Sequence, residues 1–140
     1  VPDALVADTV IEAFALEVYM KCLLVLLKVK PPKTHNLVAL YSALPDLVRA
    51  ELRDAYAAFC RSVPGWERTW QRAGIETDFD SIMAASDEAF NEWRYLYEDW
   101  PYTEPSAQKA WLGIPIMGIV RKAILRRRPD WAVHTLHLST

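Results

Sequence analysis

The chain has 140 residues, 52% hydrophobic and 24% charged, which is enough for one globular domain with its own core. A formal net charge of -2 excludes the overall basic footprint of a nucleic-acid-binding domain, though not a local basic patch. Only four Gly occur, and nine Pro fall between apolar runs, so long helices with punctuated loops are favoured over a β-sandwich.

No leader peptide is visible, because Val1-Pro2-Asp3 lacks a basic start. The first residue is not Met, so the true start is expected upstream. The longest apolar run, Cys22 to Leu27, is too short to span a bilayer, so a cytoplasmic protein without membrane association is expected. Cys22 and Cys60 sit in apolar helical runs and are expected as reduced core residues. No Cys or His recurs at ligand spacing, so no metal site is expected.

The first helix is predicted from about Asp3, its cap, to Val29, with Pro31-Pro32 stopping it. Between Leu16 and Leu27 it is apolar on nearly every side, as a central or interfacial helix is. Val10, Phe14, Glu17, Lys21 and Leu24 fall on one stripe, so a charged pair interrupts an apolar face. After a Lys30–His35 loop, Thr34 is predicted to cap a short second helix bearing Leu37, Leu40, Tyr41 and Leu44. That places His35 in its first turn.

The third helix is expected to start at Pro45-Asp46 and end before Pro64-Gly65, with Leu47, Val48, Leu52, Tyr56 and Phe59 inward. From Gly65 to Thr77 the chain reads as irregular, with a helical turn around Trp66–Arg72. Thr77 or Asp78 caps a fourth helix to about Glu98, with an inner stripe of Phe79, Ile82, Met83, Ser86, Phe90, Trp93 and Tyr97. Arg94 sits at the edge of that stripe, and Pro101 ends the helix. Pro105-Ser106 opens a last helical region towards Arg127, which Gly113 and Pro115 should kink or split. The expected fold is all-α: an antiparallel bundle of about five helices over residues 1–128, followed by a patternless tail, 129–140.

Three short elements in order carry a resemblance: Glu17-x-x-x-Lys21 on the first helix, Thr34-His35-Asn36-Leu37 before the second, and Trp93-Arg94-Tyr95 on a later helix. This order resembles the HEPN family of small helical domains across roughly residues 10–100. The resemblance implies a helical bundle of four or five helices that commonly pairs with itself. Some HEPN members are RNA-cleaving toxins that need no metal; others partner small nucleotidyltransferases, bind nucleotides, or have no known activity. The fold therefore carries over better than any one function.

Glu17 and Lys21 are one turn apart and can pair, with Arg94 or His35 satisfying the remaining valences. Two readings stay open. The pair belongs to a semi-buried network locking the first helix onto the fourth, or it lines a cleft that binds an anion or nucleotide through Lys21, Arg94 and Tyr95. His35 either packs and caps or does acid–base work. The resemblance also implies that an active nuclease would carry an Arg followed four to six residues later by His. Arg128 and His134 have that spacing, but Pro129 follows the Arg and the pair lies in the tail. The cluster Arg121, Lys122, Arg126, Arg127, Arg128 reads as either a helix end or a phosphate contact. Trp66, Trp70 and Trp100 flank loops and are candidates for a partner surface.

No Gly-rich phosphate loop, nucleophile elbow, His-Glu-x-x-His or Cys-x-x-Cys occurs, so no cofactor is expected. The balance favours a non-catalytic interaction module. It would act as a homodimer through the first or fourth helix and bind a partner such as a nucleotidyltransferase, or a nucleotide. The alternative is a metal-independent RNase toxin of a toxin–antitoxin or defence system. Recognition of a DNA sequence is not expected.

Overall fold

The computed structural model describes residues 2–99 and 113–132, with side chains for residues 8, 10–88, 91 and 113–132. Among the described residues, six α-helices form a bundle: α1 (Pro2–Leu26), α2 (Leu37–Ser42), α3 (Asp46–Ser62), α4 (Pro64–Arg72), α5 (Phe79–Asp99) and α6 (Ile114–Arg127). There is no strand among the described residues. None of these helices is long and apolar enough to cross a membrane.

α1 is the hub and packs on α2, α5 and α6. Its inner face is Ala13, Leu16, Met20, Leu23 and Leu24, all fully buried and recurring at helical spacing. The predicted stripe from Val10 to Leu24 runs along the border of this face rather than within it. Glu17 and Leu24 are buried, while Phe14 faces out. The helix also stops earlier than Val29. The Val29 N–H donates to the Leu24 carbonyl and the Lys28 N–H to the Val25 carbonyl, both at 2.9 Å. Together they form a Schellman closure. That closure requires a left-handed residue, and here it is Lys28 at φ 59°.

α2 begins at Leu37, with Asn36 as its cap, not Thr34. The Asn36 side-chain oxygen accepts the Ala39 N–H at 2.6 Å, while Thr34 Oγ1 accepts the Asn36 N–H one step earlier. His35 therefore lies in the loop, outside the first turn. α3 starts as predicted after Pro45, and Val48, Leu52 and Tyr56 are buried. Leu47 instead points to solvent, because it stands about 100° round the helix from Val48, off the face that Val48, Leu52 and Tyr56 share.

The helical turn expected around Trp66–Arg72 is a nine-residue helix, α4, which starts two residues earlier with Pro64 in its first turn. It docks through its tryptophans. Trp66 packs edge-on to Phe59 and to Trp70, with centroids 5.6 Å apart in each case. The Trp66 indole N–H donates to Tyr56 Oη at 3.0 Å, and Tyr56 Oη donates to the Thr77 carbonyl at 2.9 Å. These two tryptophans thus hold α4 against α3.

α5 carries the predicted inner stripe as far as its side chains are described: Phe79, Ile82, Met83 and Ser86 are buried. Asp78 accepts the Ser81 N–H at 3.0 Å and caps the helix. Phe90, Trp93 and Tyr97 fall outside the described side chains. Gly113 and Pro115 stand at the start of α6, where a Pro in the first turn forfeits no helical hydrogen bond. The helical start expected at Pro105-Ser106 lies outside the described residues. Beyond α6, Trp131 packs against the core.

Candidate functional site

The polar cluster is built on α1 and on the loop before α2. Among the described side chains of α1, Glu17 is the one charged group that is buried, because it stands at the edge of the inner face beside Ala13 and Met20. Its carboxylate is 3% exposed. Lys21, one turn later, donates from Nζ to Glu17 Oε1 at 2.6 Å and is 32% exposed. From the loop, His35 Nδ1 reaches both Glu17 oxygens at 3.0 Å, with its side chain 55% exposed. A carboxylate only accepts, so Nδ1 carries the proton and Nε2 remains for another partner. Burial pushes the Glu17 carboxyl up, but Lys21 and His35 together hold it below the usual carboxylate range.

A second, connected set of bonds lies beside this one. Asp87 on α5 is buried and accepts the Leu37 N–H at 2.6 Å and the Asn36 side-chain amide at 2.7 Å. Burial pushes its carboxyl up, against the hydrogen bond from Leu37. Together, Glu17 and Asp87 tie α1 and α5 to the loop between α1 and α2. The sequence reading missed Asp87. It lies four residues from Met83, within about 40° on the wheel, so an acid on the inner edge of α5 was the available signal.

The structure thus brings together Glu17, Lys21 and His35. Arg94 and Tyr95 are on α5, and their side chains lie outside those described. The arrangement offers an imidazole oriented by a buried carboxylate, with an ammonium alongside. Such a group can hold an anion or move a proton at Nε2.

The basic cluster near the end of α6 is mostly engaged within the fold. Arg126 and Arg127 donate to Glu51 on α3 at 2.6 Å and 2.8 Å, and Arg127 also donates to the Ala123 carbonyl at 2.9 Å. Arg127, and then Arg126, hold the Glu51 carboxyl below its usual range, with burial opposing them. Arg128 donates to both oxygens of Asp130, at 3.0 Å and 2.7 Å, and its guanidinium stacks over Trp131 at 4.4 Å. Its expected partner His134 lies outside the described residues, as does Trp100. Cys60 is buried and free, and burial raises its thiol.

The other feature of α1 is its outer face. Ile11, Phe14, Val18 and Val25 are 65%, 56%, 45% and 61% exposed. They follow one another at helical spacing opposite the core face, so α1 is apolar on both sides. Comparison of the chain with protein-family models, with curated proteins and with solved structures finds no match.

Proposed function

We propose that this chain is a HEPN-like interaction module, which works by pairing with itself through the outer face of α1 and by binding a partner protein or nucleotide. The observation that carries the reading is the exposed row Ile11, Phe14, Val18 and Val25 on the central helix. At their fractional exposures these side chains present on the order of 400 Å² of apolar surface, the size of patch that marks an interaction site on a monomer. Covering it on two copies is worth roughly 20 kcal/mol gross at about 25 cal/mol/Å². Association itself costs about 4–15 kcal/mol. The remainder, about 5–16 kcal/mol, spans dissociation constants from about 0.2 mM to the picomolar range, and the upper part of the cost range gives the micromolar and weaker values.

The test is molar mass by light scattering across a concentration series. The reading expects a mass rising from 16.0 kDa towards twice that value as concentration passes through the micromolar range. A mass fixed at 16.0 kDa to several hundred micromolar would exclude it.

The Glu17–Lys21–His35 cluster supports nucleotide binding as the second part of the reading. Lys21 and His35 Nε2 would face a phosphate, and Arg94 and Tyr95 on α5 are the further candidate residues. Nucleotides should raise the melting temperature, and Lys21→Ala should remove that shift. For the RNase alternative, the engagement of Arg128 by Asp130 and Trp131 gives no support. Cleavage of RNA in EDTA that disappears in His134→Ala would establish it nonetheless.

A further inference from the structure

With the half-buried Cys22 added to it, the row on α1 is symmetric in spacing about one residue. Ile11 and Val25 lie seven residues before and after Val18, and Phe14 and Cys22 lie four before and after it. A patch that maps onto itself when its direction is reversed is what a two-fold, antiparallel contact requires. We infer that two copies pair through α1 in antiparallel register, with the two-fold axis beside Val18 and Phe14 of each copy seated in a groove of the other.

That groove is present in the single chain. Val18, Lys21, Cys22 and Val25, with Leu26 and Trp131, line a groove of about 340 Å³. The first four stand at positions i, i+3, i+4 and i+7, the set that forms a hole for one knob from a facing helix. An apolar cavity of about 150 Å³ already accepts a benzene ring, so there is room for the Phe14 ring. The hole is centred between Lys21 and Cys22. The axis that carries Phe14 into it therefore passes at Val18, the same centre that the spacing of the row gives. One axis thus accounts for the knob, the hole and the two flanking aliphatic residues.

Area is sufficient. A standard interface of about 800 Å² per partner is about 57% apolar, or about 450 Å², close to what the row presents.

This inference rests on the self-association proposed above, and cysteine cross-linking separates the two. In a Cys22→Ser background, Val18→Cys should cross-link to its own copy under mild oxidation, since the axis brings the two Cβ atoms into disulfide range. Ile11→Cys alone should not, because fourteen residues of helix, about 21 Å, would separate the two thiols. Ile11→Cys combined with Val25→Cys should cross-link. Cross-linking by Ile11→Cys alone would mean parallel pairing and overturn the inference. So would a dimer by light scattering in which Val18→Cys stays uncross-linked, although self-association itself would stand. A monomer throughout would remove both.

Discussion

Removing the Glu17 carboxylate separates its two roles. In Glu17→Ala the buried acceptor of two charge-assisted bonds disappears, leaving Lys21 and His35 to find water. Each such bond is worth about 1.5–3 kcal/mol when its partner is stranded. Both partners are partly exposed, so rehydration returns a good share of this, and the vacated volume beside Ala13 and Met20 adds a cavity cost. A loss of about 3 kcal/mol is expected. Glu17→Leu fills the same space and removes the desolvated charge as well, so it should cost no more than about 1 kcal/mol.

Urea unfolding at pH 7 measures both values. With a slope near 2 kcal/mol/M, the Ala variant should unfold about 1.5 M earlier than the parent chain, and the Leu variant within about 0.5 M of it. Acid provides a second reading. The Glu17 carboxyl lies below its unfolded value, so its contribution is complete above the usual carboxylate range. That contribution is lost as pH falls through the range towards the folded value. Relative to the parent, Glu17→Leu should therefore gain stability from pH 7 to pH 3. Equal costs for Ala and Leu, or a gap that does not move with pH, would refute the argument.

Three further substitutions test the scaffold. Asp87→Ala strands the Leu37 N–H and the Asn36 amide at the start of α2 and should cost about 2–3 kcal/mol by urea unfolding. Lys28→Gly removes a side chain from a left-handed position that closes α1, so it should raise stability by about 1 kcal/mol. Tyr56→Phe leaves the Trp66 indole and the Thr77 carbonyl without their shared hydroxyl. A loss of about 1–2 kcal/mol is expected, and a change in tryptophan fluorescence should accompany it.

Much of the fold can be read from hydrophobic spacing and helix punctuation. The inner stripe of α5, the Pro45 start of α3 and the all-helical class follow from these. The turn around Trp66–Arg72 was legible, but the full extent of α4 was not, because its first residues are Pro and Gly, which punctuate a sequence whether they end one helix or open the next. Leu47 escaped because a run of apolar residues at a helix start does not reveal which of them faces inward. The cap of α2 turned on which of two polar residues, two positions apart, reaches the Ala39 N–H, and their residue types do not distinguish Thr34 from Asn36 in that respect. In the site, the Glu17–Lys21 pair was legible from its one-turn spacing. The approach of His35 and Asp87 was not, since it depends on how the loop before α2 crosses α1 and α5. Apolar residues all round α1 signalled an interface or a central position. The structure places the helix at the centre and leaves one apolar face uncovered.

The most direct test of self-association through that face is sedimentation velocity on Phe14→Glu and Leu47→Glu at equal, dimer-forming concentrations. Both residues are exposed and apolar, but Leu47 is on α3, away from the row on α1. A charge at Phe14 should convert the dimer to a monomer with its helical circular dichroism unchanged, while Leu47→Glu remains dimeric. A Phe14→Glu protein that still sediments as a dimer, or a Leu47→Glu protein that falls apart, would contradict the account.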